Sequence, residues 1–193
     1  MAYFDDRENV QQYVQMSEGY DGREFIPILR KYLKDGARVL ELGMGPGKDL
    51  LLLSRYFQVV GSDASRVFLD RYRQVHPEAD LVRLDAVTMD IDRKFDCIYS
   101  NKVLPHLSKE ELERSLRKQV GVLNDGGILF HTFWHGDRQE VFSGLRFVYY
   151  TQASFSRIVG REYKIVEWKR YTEVEEDDSF YVVLARDGGR KGV

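Results

Sequence analysis

The feature that most constrains the fold is a glycine-rich turn that joins two apolar runs. Residues 39–42 have the composition of a short buried strand, and residues 50–53 begin a helical pattern. Gly43, Gly45 and Gly47 lie between them. Such a turn needs glycine where its backbone angles disfavour a Cβ or where its main chain must approach a ligand closely. Strand, glycine turn and helix in this order are typical of a nucleotide-binding α/β sheet, although similar turns also occur where no ligand binds.

Further apolar runs alternate with helical segments along the rest of the chain. We predict the remaining strands at residues 58–63, 80–84, 95–100, 128–133, 163–171 and 179–186, with turns at 124–127 and 173–178. Ser108 and Glu111 form a capping box that begins one of the helices between them. The pattern predicts an α/β fold: a doubly wound, mostly parallel seven-stranded sheet with an antiparallel edge strand.

Length and composition limit the class of protein. The chain has 193 residues, of which 43% are hydrophobic and 31% charged, so we expect one domain over residues 1–193. Within it we expect a helical cap (1–36), a sheet core (37–186) and a frayed tail (187–193). The formal net charge of −2 provides no positive field for nucleic acid or an anionic membrane, and neither is expected as a partner. Cys97 is the single cysteine and falls in an apolar run, so no disulfide and no metal site is expected.

The start of the chain is polar, and no apolar run approaches the length of a membrane span. We therefore expect a cytoplasmic enzyme or binding protein, as a monomer or homodimer.

The residues around the glycine turn distinguish between three ligand classes. A phosphate loop requires Ser or Thr after Gly-Lys, and Asp49 follows Lys48 here. A dinucleotide turn would have its third glycine at position 48, so Lys48 weakens that interpretation without excluding it. Glu41 precedes Gly43 by two positions, where a carboxylate would repel a pyrophosphate but attract an ammonium group. S-adenosylmethionine carries an ammonium and a sulfonium and no phosphate.

With these motifs the chain resembles the class I S-adenosylmethionine-dependent methyltransferases of the small-molecule type, over about residues 37 to 186. The resemblance implies S-adenosylmethionine as cofactor. It implies contacts to the methionine end from the first motif and the end of the fourth strand, to the ribose from the second strand, and to the adenine from the third. The residues at these positions are Glu41, Gly43, Gly45, Gly47, Ser100, Asn101, Asp63, Ala64, Asp85 and Ala86.

Two departures from the family pattern bear on the acceptor. Pro105 stands where the motif usually has His or another residue, so the shape of that loop is open. Residues 101–104 are unlike the Asn/Asp-Pro-Pro-Tyr/Phe signature of methyltransferases that modify exocyclic base nitrogens, which argues against a nucleic acid substrate.

The resemblance implies direct methyl displacement, in which the protein chiefly aligns the reactants, an effect worth about 7–11 kcal/mol. A base is needed only for a protonated acceptor, and the candidates are His106 and His135, with His131 considered beside them. For the acceptor pocket we predict aromatic and polar side chains, any of which could instead be structural; they are Tyr13, Tyr20, Lys102 and Trp134.

One more structural expectation and two alternative functions complete the predictions. Phe142, Leu145, Phe147 and Val148 are expected as core contacts. Two other functions are compatible with the sequence, a nicotinamide-dependent oxidoreductase and a non-catalytic cofactor-binding module of the same fold.

Overall fold

The computed structural model describes residues 3–186. Its strands are β1 (Arg38–Leu42), β2 (Gln58–Asp63), β3 (Leu81–Arg83), β4 (Phe95–Ser100), β5 (Leu123–Trp134), β6 (Gln139–Phe142), β7 (Leu145–Val148), β8 (Tyr163–Tyr171) and β9 (Ser179–Arg186). Its α-helices are α1 (Arg7–Met16), α2 (Ile26–Tyr32), α3 (Lys48–Leu53), α4 (Arg66–Val75), α5 (Lys109–Val120) and α6 (Gln152–Ile158). Short 3₁₀ turns occur at Tyr3–Asp5, Arg23–Phe25 and Leu104–His106.

Seven strands form the main sheet in the order β3-β2-β1-β4-β5-β9-β8. Neighbours from β3 to β5 are parallel, whereas β9 is antiparallel to both β5 and β8. The predicted fold class is therefore confirmed. The chain winds outward from β1 toward β3 and then returns to begin the other half at β4. In open α/β sheets, ligands bind outside the carboxyl ends of the strands at such a switch point.

Both faces of the sheet are covered because side chains alternate along each buried strand. In β1, Val39 packs in the cluster that contains Leu29 of α2, and Leu40 packs in the cluster that contains Leu112 of α5. All four side chains are completely buried. This packing holds β1 in place and directs its carboxyl end, with the glycine turn, to the edge of the sheet.

Two parts of the fold differ from expectation. Strands β6 and β7 form a separate hairpin that the sequence pattern did not predict, and Phe142 at its end is 68% exposed rather than in the core. The side chain of Val148 is buried as expected. Residues 124–127 are not a separate turn but belong to β5. Leu123 of β5 pairs with Phe95 of β4, and the register of the two strands shifts before Cys97 pairs with Ile128.

Within residues 3–186, every helix is too short or too polar to cross a lipid bilayer.

Candidate functional site

The glycine turn is tightly covered at the carboxyl end of β1. Gly43, Gly45 and Gly47 have φ of +66°, +48° and +80°, in the left-handed region that glycine adopts without steric cost. A Cβ on Gly43 would lie 2.6 Å from the Cγ atoms of Val103, and one on Gly47 would lie 2.2 Å from Cε2 of Tyr72. The turn therefore requires glycine for its backbone angles and, at these two positions, for space.

Three buried carboxylates surround the turn. Glu41 at the end of β1 is 3% exposed, and its Oε2 has no hydrogen-bond partner in the described structure. Burial, followed by the charges of Asp49 and Asp63, raises its pKa well above the ordinary value. No lysine, arginine or histidine of residues 3–186 forms an ion pair with any of the three. The crevice is therefore lined by acidic side chains that no described cation of the chain pairs with.

Asp63 and Asp49 are held by neutral donors instead. Asp63, at the end of β2, accepts hydrogen bonds from the amides of Gly45 at 2.9 Å and Ser65 at 2.8 Å. Burial raises the pKa of Asp63, and these amide bonds oppose the rise. Ser65, rather than Asp63, is the N-cap of α4. The Asp63 side chain is therefore directed toward the glycine turn.

Asp49, in the first turn of α3, is a site residue that the sequence analysis did not single out. Its carboxylate accepts hydrogen bonds from the Gly22 amide at 2.6 Å, the Tyr99 hydroxyl at 2.7 Å and Nδ2 of Asn101 at 3.0 Å. The signal in the sequence that could have identified Asp49 was its position as an acidic residue just after the glycine turn. Through these bonds, Asp49 connects the turn to β4 and to the N-terminal segment.

The other predicted cofactor residues lie along the same edge. Asp85 is exposed after β3 and accepts a hydrogen bond from the Val87 amide at 2.7 Å. Ala64 is exposed after β2, and its carbonyl accepts a bond from Nε of Arg83 at 3.1 Å. Because the parallel strands end together, the positions predicted for ribose and adenine continue the line that begins at the glycine turn.

A chain of hydrogen bonds, buried except at its end on half-buried Ala86, joins two of the predicted cofactor positions. Ser100 Oγ lies 2.9 Å from Nδ1 of His131, whose Nε2 lies 2.9 Å from Oε1 of Gln119. Gln119 Nε2 donates to Ser115 Oγ at 3.0 Å, which donates to the carbonyl of Ala86 at 2.6 Å. In this arrangement His131 donates through Nε2 and accepts through Nδ1. We call these five residues the buried polar chain.

The considered role of His131 as a general base is therefore wrong. Both ring nitrogens are engaged, the residue has no exposed surface, and burial lowers its pKa to about 3. His106 differs, because its Nδ1 lies 2.7 Å from the carbonyl of Arg146, which can only accept. His106 therefore donates through Nδ1 and leaves the Nε2 lone pair free when neutral. Burial lowers its pKa, and that of half-buried His135 as well.

The N-terminal segment, residues 3–17, lies over the glycine turn. The ring of Tyr13 is the nearest neighbour of a Cβ built on Gly45, at 3.6 Å, and it packs edge-on against Phe4 and Phe68. Burial, followed by the charge of Asp63, raises the pKa of Tyr13 to about 12. Predicted as an acceptor contact, Tyr13 lies instead beside the expected cofactor position.

This segment is also tied to the sheet edge by hydrogen bonds. The Lys48 ammonium donates to the carbonyl of Ser17, and the Ser65 hydroxyl donates to the carbonyl of Phe4. The segment therefore both docks on the core and covers the crevice.

Lys102 is 9% exposed and already engaged within the chain. Its ammonium donates to Ser179 Oγ at 2.6 Å, forms an ion pair with Glu173, and lies 4.8 Å above the ring of Trp134 and 5.4 Å above that of Tyr171. Residues 173–178 were expected to be a solvated turn. That expectation fails for Glu173, because the Asp178 carboxylate caps the turn and allows Glu173 to fold inward toward Lys102.

A cleft of about 360 Å³ opens beside these groups. It is lined by residues 19–21, 23–25, 171–173 and Asn101, and thus by the predicted acceptor contact Tyr20, which is half exposed. Asn101 belongs to both this cleft and the hydrogen bonds of Asp49. The cleft is therefore adjacent to the expected methionine end of the cofactor.

The fold is shared with solved methyltransferase structures. A TehB-like S-adenosylmethionine-dependent methyltransferase from Corynebacterium glutamicum superposes with a TM-score of 0.75 at 20% identity, covering 94% of this chain and all of that one. One from Clostridium acetobutylicum gives 0.72 at 12% identity, covering 92% and 99%. The glycopeptide N-methyltransferase MtfA, complexed with S-adenosylmethionine, gives 0.72 at 15% identity, covering 89% of each chain. These likenesses establish the class of fold.

The sequence comparisons find methyltransferases over part of the chain. Residues 39–127 match the family model of the methyltransferase domain. The trans-aconitate 2-methyltransferase of Variovorax paradoxus is 33% identical over 106 residues, which are 53% of this chain and 40% of that protein. The enzyme of the same name from Methylobacterium radiotolerans is 33% identical over 93 residues, 47% of this chain and 35% of that protein. The matches thus span less than half of each relative. The chain is thus similar to S-adenosylmethionine-dependent methyltransferases in fold and, over residues 39–127, to the methyltransferase domain in sequence.

Proposed function

We propose that this protein is an S-adenosylmethionine-dependent methyltransferase that transfers a methyl group to a small-molecule acceptor by direct displacement. The observation that carries the proposal is the set of three buried carboxyl groups of Glu41, Asp49 and Asp63. No lysine, arginine or histidine of residues 3–186 forms an ion pair with any of them. The orphaned Oε2 of Glu41 lacks a donor, and the cofactor's ammonium would provide one. Bound S-adenosylmethionine supplies a methyl group already activated by its sulfonium charge.

The chain's own residues would hold and cover that ligand. Glu41 and the glycine turn would hold the methionine end, Asp63 with Ala64 the ribose, Asp85 with Ala86 the adenine, and the backbone at Ser100 and Asn101 the methionine end from the other side. Tyr13 and the rest of the N-terminal segment would exclude water from the reacting centre. This is the alignment and desolvation that methyl displacement requires.

A dinucleotide fits the same crevice poorly. A pyrophosphate at the glycine turn would face Glu41, Asp49 and Asp63, and like charges in a buried site repel strongly. Lys48, the cation closest to the glycine turn in the sequence, donates instead to the Ser17 carbonyl. The oxidoreductase alternative is therefore disfavoured.

The general base, the location, the exclusion of nucleic acid and the oligomeric state are likewise proposals. His106 is the stronger candidate for a general base, because its Nε2 is free of a described partner, and His135 stays the alternative. A cytoplasmic location stays a prediction. The near-neutral charge supports the absence of a nucleic acid substrate. The monomer or homodimer state stays a prediction.

Calorimetry with the cofactor tests the assignment. S-adenosylmethionine should bind, and binding should release protons, because the raised pKa of Glu41 favours the acid form until a cation stabilises the carboxylate. The observed enthalpy should therefore change with the ionisation enthalpy of the buffer. Glu41→Gln should abolish that dependence and weaken binding about 10- to 100-fold, the loss expected for a charge-assisted hydrogen bond.

Two controls make the result specific. Adenosine has neither ammonium nor sulfonium, so its affinity should be similar for Glu41→Gln and the unaltered chain. Asp80→Asn removes a half-exposed carboxylate that pairs with Arg93 away from the crevice, and should change neither affinity nor proton release. Binding of NADH with no affinity for S-adenosylmethionine or S-adenosylhomocysteine would refute the proposal.

A further inference from the structure

The cleft of about 360 Å³ beside Asn101 has an unusual balance of charges. Arg23 is bound by Asp21 through two hydrogen bonds, Nε to Oδ1 at 2.7 Å and Nη2 to Oδ2 at 2.6 Å. At the rim, Glu173 is paired with Lys102. Arg23 and Lys102 are thus already paired with carboxylates of the chain.

One carboxylate that lines the cleft, that of Glu24, has no ion-pair partner among the described residues. Glu24, in the 3₁₀ turn Arg23–Phe25, forms no ion pair and no side-chain hydrogen bond within residues 3–186. Glu24 is exposed at the cleft. Partial desolvation, followed by the charge of Glu173, raises its pKa, and the charges of Lys102 and Lys169 oppose that rise only in part. A bound cation would relieve both the desolvation and the repulsion.

Three of the other residues that line the cleft are aromatic. Phe25 is buried and packs edge-on against Tyr171 with ring centroids 5.3 Å apart, and Tyr20 contributes a half-exposed ring. Aromatic faces attract cations and also cover an apolar body. A polycarboxylate would find Arg23 and Lys102 already paired and would face Glu24.

We propose that the methyl acceptor is an amine with an apolar or aromatic body, and that Glu24 determines this specificity by binding the acceptor's ammonium group. The inference rests on the proposed methyltransferase function. The ammonium form binds beside Glu24 and loses one proton to solvent, so that the nitrogen lone pair becomes free. Transfer then forms one N–C bond and breaks the C–S bond of the cofactor. The electron pair of that bond stays on sulfur as a thioether, and the methylated nitrogen carries the positive charge.

Pairs of acceptors with matched shape and opposite charge test the proposal. The full chain with S-adenosylmethionine is offered 2-phenylethylamine and tryptamine against 3-phenylpropionate and trans-aconitate, and products that have gained one methyl group are measured by mass spectrometry. The amines should be methylated and the carboxylates should not. Glu24→Gln should raise the KM for the amine about tenfold or more, while the Kd for S-adenosylhomocysteine stays unchanged.

Glu78→Gln is the matched control, since it removes a carboxylate that is 77% exposed and lies beyond the carboxyl end of α4. It should leave the KM for the amine unchanged. Methylation of the carboxylates alone would overturn the amine proposal and leave the methyltransferase function standing. So would binding of S-adenosylhomocysteine with no amine methylated, or an unchanged KM in Glu24→Gln. Failure to bind either adenosyl ligand would instead overturn the proposed function, and the amine proposal with it.

Discussion

Replacement of His131 by glutamine tests whether the centre of the buried polar chain is a permanently neutral imidazole. His131 has no exposed surface, both of its nitrogens are hydrogen-bonded, and burial lowers its pKa to about 3. An unfolded histidine titrates near pH 6.5. Below that pH the unfolded chain binds a proton that the native chain does not, so native stability falls as the pH falls.

The size of the effect follows from the two pKa values. Between pH 7 and pH 5, this one group should lower the free energy of unfolding by about 2 kcal/mol, and the slope should approach 1.4 kcal/mol per pH unit at the lower end. Glutamine does not titrate, so His131→Gln should lack this contribution. It should also be less stable at pH 7 by about 1–3 kcal/mol, because Ser100 or Gln119 loses a buried partner.

Urea denaturation followed by circular dichroism at pH 7, 6 and 5 measures both quantities. The informative control is Gln119→Met, which breaks the same chain without removing a titrating group. It should be destabilised at pH 7 and keep the steep pH dependence of the unaltered protein. Parallel stability profiles for His131→Gln and the unaltered protein between pH 7 and pH 5 would refute the assignment of a buried neutral histidine.

Two further variants test contacts at the site. Gly47→Ala should cost more stability than Gly36→Ala, because the two glycines share φ near +80° but only Gly47 would bring a Cβ within 2.2 Å of Tyr72. Both alanines would pay the same cost of about 1–2 kcal/mol for the left-handed backbone. Equal losses of stability for the two variants on thermal unfolding would therefore contradict the clash with Tyr72. Lys102→Met should destabilise the protein by about 1–3 kcal/mol, less than for a fully buried pair because the Glu173 side chain is 24% exposed. The double variant with Glu173→Gln should recover part of that loss, and no recovery in urea denaturation would show that the ion pair is not the cause.

Much of the fold was predictable because it depends on local pattern. The strands at residues 95–100, 163–171 and 179–186 were predicted with the bounds that the structure has. Their apolar runs are bordered by polar or glycine-rich segments, so periodicity alone defines them. The hairpin of β6 and β7 was missed because its residues are mostly exposed or half-buried and carry no clean alternation.

The site was less predictable because its side chains act through distant partners. Asp49 and Tyr99 are 50 positions apart, and Lys102 and Ser179 are 77 apart, so neither pairing leaves a local signal. His131 illustrates the converse, since its position near the end of a strand made it a plausible base until the contacts of both nitrogens were known. Sequence pattern identified the positions along the carboxyl edge, and only tertiary contacts distinguish a free group from an engaged one.

The path of the N-terminal segment has a consequence for the order of events at the site. Residues 3–17 cover the glycine turn, and residues 19–21 and 23–25, shortly after them in the chain, line one wall of the proposed acceptor cleft. Within this second part, the Gly22 amide donates a hydrogen bond to Asp49. Movement that uncovers the turn therefore also removes the wall from the cleft. A ligand at the turn therefore cannot exchange while another ligand is held in the cleft, which favours a compulsory sequence in which the ligand at the turn enters first and leaves last.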